Sequence, residues 1–71
     1  MYFYEALGIL QRNETKAISM IGWENDRYIY IKAMKVKSEY LNEYLCMRQG
    51  TTEIPYFTNQ HEILSNQWQC L

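Results

Sequence analysis

Between Trp23 and Tyr28 the chain places an indole, an amide (Asn25), a guanidinium (Arg27) and a phenol, and Tyr30 follows two positions later. Such a set supplies what a purine nucleotide needs: a face for the base to stack on, directional hydrogen bonds to its edge and a cationic fork for phosphate. The same residues admit a plainer arrangement, with Trp23 plugging the core and Asn25 and Arg27 in water. A second candidate group is Asn59 and Gln60, at the start of a capped helix whose N–H groups would attract an anion.

Groups for covalent chemistry are scarce. A Cys–His pairing would have to draw on His61, with Glu62 and Cys46 or Cys70, yet no strand-turn-helix elbow or helix N-terminus presents either thiol. His61 reads instead as a surface residue in the first turn after Asn59. A tetrahedral zinc site would need a carboxylate beside His61 and the two cysteines. Gly8, Gly22 and Gly50 are isolated from one another, so there is no phosphate-cradling loop. Glu24 and Asp26 bracket a turn and suit turn formation better than a divalent cation. The expectation is a binding protein with no catalytic residues, no metal and no cofactor.

Composition bounds the rest. With 71 residues, 8.6 kDa and 48% apolar side chains, there is material for a single domain, residues 1–71, and one core. At this size, burial barely offsets conformational entropy, so a second source of stability is expected. Two cysteines without a CxxC spacing do not promise a disulfide framework, which leaves self-association. Seven Lys and Arg against eight Asp and Glu exclude the basic face that a nucleic-acid polymer requires. The one basic cluster, Lys32, Lys35 and Lys37, reads as a solvated edge strand, with a local anion site as the alternative. No stretch approaches the roughly 20 apolar residues of a membrane span and no signal sequence opens the chain, so a cytosolic, reducing setting is expected. Aromatic residues reach 15%, with seven tyrosines, and suit either an economical core or half-buried interface and stacking positions.

These side chains must be held by a small set of elements. Phe3, Ala6, Leu7 and Leu10 recur at three- and four-residue steps and predict an amphipathic helix over residues 3–12. Residues 16–35 read as a β-hairpin around the Gly22–Asp26 turn, with Tyr28-Ile29-Tyr30-Ile31 as its second strand. Residues 36–43 read equally as a short helix starting at Ser38 or as a linker. β character returns from Tyr44, with a Gly50-Thr51 turn and a strand that Pro55 ends. Asn59 precedes Glu62 at capping-box spacing, predicting a short helix, and Trp68 to Leu71 alternates like a last strand, with Trp68 in the core. The fold class is therefore α+β: a small antiparallel β-sheet with an N-terminal helix and a short C-terminal helix, assembling as a homo-oligomer.

Three segments, in this order, resemble a family of small phage proteins that contains the second type of Thoeris anti-defence protein. They are Phe3-Tyr4-Glu5-Ala6-Leu7-Gly8-Ile9-Leu10; Gly22-Trp23-Glu24-Asn25 with Tyr28-Ile29; and Pro55-Tyr56, Asn59-Gln60-His61-Glu62-Ile63-Leu64-Ser65 and Gln67-Trp68. The family's Phe-x-Glu-Ala-Leu-x-x-Leu helix, Gly-Trp turn and Pro-Trp, Ser-Gln-x-Asp-Leu-Leu-Ala, Asp-Trp ending are similar to these. Met20, Tyr56, Glu62 and Gln67 depart from its Arg, Trp, Asp and Asp, and the middle of the chain is shorter.

The resemblance implies a sponge in the cytoplasm of the infected bacterial host. Such a protein binds a cyclic nucleotide second messenger, a cyclic ADP-ribose isomer or a cyclic dinucleotide, and hides it from its effector without cleaving it. It also implies homotetramers or dimers with pockets between protomers. On that basis Trp23, Asn25, Arg27 and Tyr28 line one end of the pocket and Tyr56, Asn59 and Gln60 the other. A competing expectation is a phage inhibitor that docks on a host defence protein, as anti-CRISPR proteins do, and a third is a plain virion component.

Overall fold

A nine-residue helix is marginal alone in water, so its apolar stripe must find a partner surface. In the computed structural model, which describes residues 1–36 and 39–71 and the side chains outside residues 33–42, that partner is a sheet. Helix α1 (Phe3–Gln11) buries Phe3, Ala6 and Leu10. At its start the Glu5 carboxylate accepts the Tyr2 N–H at 3.0 Å, satisfying one of the donors a helix leaves open. Asn13 closes the helix in the left-handed region, with φ 59°, a conformation Asn tolerates better than most residues.

The strands are β1 (Ile18–Met20), β2 (Arg27–Val36), β3 (Glu39–Gln49), β4 (Thr52–Pro55) and β5 (Trp68–Cys70), with helix α2 (Gln60–Leu64) before the last. They form one antiparallel sheet in the order β4-β3-β2-β1-β5. Register builds the core: Ile18 stands opposite Ile29 and Cys70, Met20 opposite Trp68, Ile29 opposite Met47, and Ile31 opposite Leu45. All lie on the face that α1 covers and join its stripe in a single cluster. Period-two alternation sends the neighbours of these residues to the other face.

Trp68 is 1% exposed, with its ring 4.9 Å from that of Phe3. A buried indole N–H needs an acceptor. Trp68 Nε1 donates to the Glu62 carbonyl at 2.8 Å, and its backbone N–H donates to the Met1 carbonyl at 3.0 Å. The final strand thereby ties both helices to the sheet.

The expected α+β architecture, both hairpins, the strand-ending Pro55 on an edge strand and the core position of Trp68 match the structure. One reading is corrected. Glu39 onward is strand, neither helix nor linker, because residues up to Gln49 pair with β2; Lys37 and Ser38 lie outside the described residues. Lys32 is exposed, on a stretch of β2 that lies beyond its pairing with β1 at Ile29, and its ammonium pairs with Glu53 of β4. The side chains of Lys35 and Lys37 are outside the described residues.

Trp68→Ala should cost about 3–5 kcal/mol in urea denaturation, by loss of apolar contacts and an unfilled cavity. Trp68→Phe should cost less, since it keeps a ring and removes only one of the two donors to the Glu62 carbonyl, the Ser65 N–H remaining.

Candidate functional site

Alternation along β2 separates two chemistries. Ile29 and Ile31 join the core, while Tyr28 and Tyr30 face the opposite side of the sheet, where Arg48 stands across from Tyr28 and Cys46 across from Tyr30. Among the described residues, neither helix packs on this side. It holds a cavity of about 460 Å³ lined by Lys16, Asn25, Tyr28, Tyr30 and Arg48, with Ala17 and Leu71 completing the wall. The Tyr28 and Tyr30 rings lie 5.9 Å apart and tilt by 48°. The cavity thus combines aromatic faces, two cationic side chains and an amide.

Local turns deliver these groups. Gly22, at φ +99°, takes a conformation that L side chains rarely adopt, and lets the chain reverse between β1 and β2. The Trp23 N–H then donates to the Met20 carbonyl and the Arg27 N–H to the Glu24 carbonyl. A further bond, from the Gly50 N–H to the Asp26 carbonyl at 3.1 Å, joins this turn to the β3–β4 turn and brings Asn25 and Arg48 to the same end of the sheet.

Electrostatics around the cavity centre on Glu53. Its carboxylate accepts hydrogen bonds from Lys32 Nζ and the Tyr30 hydroxyl. Those two donors, Lys32 first, hold the Glu53 carboxyl down to about 2. The same contacts raise Lys32 and push the Tyr30 phenol well above its ordinary value, because ionising Tyr30 would break its bond to a carboxylate. Arg48 is also shifted upward, chiefly by the Tyr28 oxygen beside it.

The residues singled out in the sequence divide among three places. Asn25 and Tyr28 line the cavity. Trp23, Arg27 and Tyr56 gather instead around Trp68, on the helix-covered side. The half-buried Trp23 meets Trp68 edge-on at 5.5 Å, and the Arg27 guanidinium covers the Trp23 ring at 4.2 Å, so this indole is already engaged on both counts. Arg27 Nε is buried with no hydrogen-bond partner among the described residues.

The Tyr56 hydroxyl donates to Glu62 Oε1 at 2.8 Å, and burial followed by this bond raises its phenol, against the opposing pull of Arg27. Asn59 Nδ2 reaches the same carboxylate oxygen at 3.2 Å, while Asn59 Oδ1 takes the Glu62 N–H at 2.9 Å. Asn59 and Gln60 also line an open groove of about 540 Å³ with Thr58, Ile63 and Leu64.

Arg48 and Lys16 are cavity residues that the sequence reading did not select. Arg48 gains meaning only when strand register sets it opposite Tyr28, and register is not written in the spacing. Among the described residues, no three His, Cys, Asp or Glu side chains are grouped to hold a metal ion. Cys46 is buried, its thiol donating to the Ile54 carbonyl, and Cys70 is half-buried; both are free. No described helix is long and apolar enough to cross a membrane.

Because Glu53 titrates lower in the folded chain, its contribution to stability is full above the ordinary carboxylate range and fades as pH falls towards about 2. Wild type should therefore lose melting temperature relative to Glu53→Gln between pH 4.5 and 2, as followed by circular dichroism. Parallel melting curves over that window would contradict the network.

No curated protein matches the chain. The family model described as Tad2-like, the Thoeris anti-defense 2-like domain, matches residues 1–71. It spans the opening helix, the Gly-Trp turn that feeds the cavity and the closing Trp68 strand alike. The chain therefore belongs to the Thoeris anti-defense 2-like family, and its role is that of a phage protein acting against Thoeris immunity.

Proposed function

We propose that the protein acts as a sponge, binding a cyclic nucleotide second messenger, a cyclic ADP-ribose isomer or a cyclic dinucleotide, and withholding it from its effector without cleavage. The observation that carries this reading is the cavity on the uncovered sheet face, where Tyr28 and Tyr30 stand beside Arg48, Lys16 and Asn25. A nucleotide presents a base for the rings, an edge for the amide and phosphates for the cations. Sequestration at nanomolar affinity requires about −12 kcal/mol. Two base-stacking contacts at about 1–3 kcal/mol each, with charge-assisted hydrogen bonds, supply a large part before association costs are deducted.

We place the sponge in the cytoplasm of the infected host, where its ligand would be made, and expect it to be a homo-oligomer. The support is energetic: at 71 residues burial barely offsets conformational entropy, and a second copy would supply further buried surface.

A second reading, an inhibitor docked on a host defence protein, is favoured by exposed apolar side chains near α2. Phe57 is 82% exposed and Leu64 74%.

Calorimetry and thermal shift of the purified protein against cyclic ADP-ribose isomers and cyclic dinucleotides, followed by heating and analysis of the released nucleotide, test the sponge. Recovery of intact ligand is expected; absence of binding to every nucleotide would favour the docking inhibitor. Arg48→Ala should weaken affinity by about tenfold, and Arg27→Ala by less than about threefold. The reverse order would move the site to the helix-covered side around Trp23.

A further inference from the structure

We propose that Glu53 is a positioning residue for the cavity: from edge strand β4 it anchors the Tyr30 hydroxyl, so that Tyr30 meets a ligand as a fixed wall. The inference rests on the nucleotide reading above. Both carboxylate oxygens are engaged, Oε2 by Tyr30 and Oε1 by Lys32, and Lys32 itself does not line the cavity. The bridge runs from β2 to β4 across β3. There the residue opposite Tyr30 is Cys46, a small side chain that is 1% exposed and lies beside the Tyr30 hydroxyl. Glu53 also stands opposite Arg48 in the β3–β4 register.

Three consequences follow from one carboxylate. Tyr30 spends its only proton on Glu53, so it offers a ligand the ring and not a donor. Lys32 is neutralised locally, leaving Arg48 and Lys16 as the cavity's cations. A ring already held in place loses less rotamer freedom when a ligand stacks on it, which raises affinity without adding a contact.

The test is calorimetry with cyclic ADP-ribose and a cyclic dinucleotide on wild type, Glu53→Ala, Glu53→Gln, Tyr30→Phe and the double variant Tyr30→Phe/Glu53→Ala, all checked for folding by circular dichroism. Glu53→Ala should weaken binding of whichever probe wild type takes by about tenfold, and Tyr30→Phe by a similar factor. The double variant should lose no more than either single one, and Glu53→Gln, which keeps an oxygen for Tyr30, should stay within about threefold of wild type.

A separate readout needs no ligand: in an ultraviolet phenol titration, two tyrosines of wild type, Tyr30 and Tyr56, should ionise above the others, and in Glu53→Ala one of the two should rejoin the rest while Tyr56 stays high. Wild-type affinity retained by folded Glu53→Ala, or additive losses in the double variant, would overturn the positioning role while leaving the sponge intact. A wild-type protein that binds no nucleotide, with the Glu53-dependent high phenol still present, would overturn the sponge and this role together.

Discussion

A buried indole is tolerated only when its N–H is satisfied, and that constraint organises this chain. Among the described residues, Trp68 contributes the largest fully buried side chain, and its N–H reaches the Glu62 carbonyl. Phe3, Trp23 and Tyr56 pack around the same ring, so the first helix, the β1–β2 turn and the segment before α2 are all referred to one group. Since the turn that carries Trp23 also carries Asn25, the cavity on the far side of the sheet inherits its geometry from a core residue it never touches.

Strand β2 works as a partition. Its even residues, Tyr28, Tyr30 and Lys32, carry the polar aromatic chemistry, and its odd residues, Ile29 and Ile31, carry the packing. A small protein gains from this economy, because one strand serves both needs and neither compromises the other. Lys32 and Tyr30 are then satisfied through β4, which gives an exposed edge strand a polar function in place of an apolar face.

Much of the fold was legible in the residue pattern. The Phe3/Ala6/Leu10 stripe, the Asn59 cap over Glu62 and the turn at Gly50 are local signals, and each element formed where its own residues asked for it. Residues 36–43 failed because Leu41, Tyr44 and Leu45 fit a helical step as well as a strand, and long-range pairing with β2 decides for strand from Glu39 onward. The candidate site was legible only in part. Asn25 and Tyr28 are neighbours in sequence and in space, but Trp23 and Arg27, from the same short segment, turn to the other side of the sheet. Arg48 and Glu53 come from strands whose register no local pattern states.

Trp68 also has a meaning in time. The core cannot close before that residue has left the ribosome, because β5 pairs with β1 and the Trp68 N–H meets the Met1 carbonyl. Until then every nascent copy carries its first helix without the strand that ties it to α2, and Phe3, Trp23 and Tyr56 wait for the ring on which they pack.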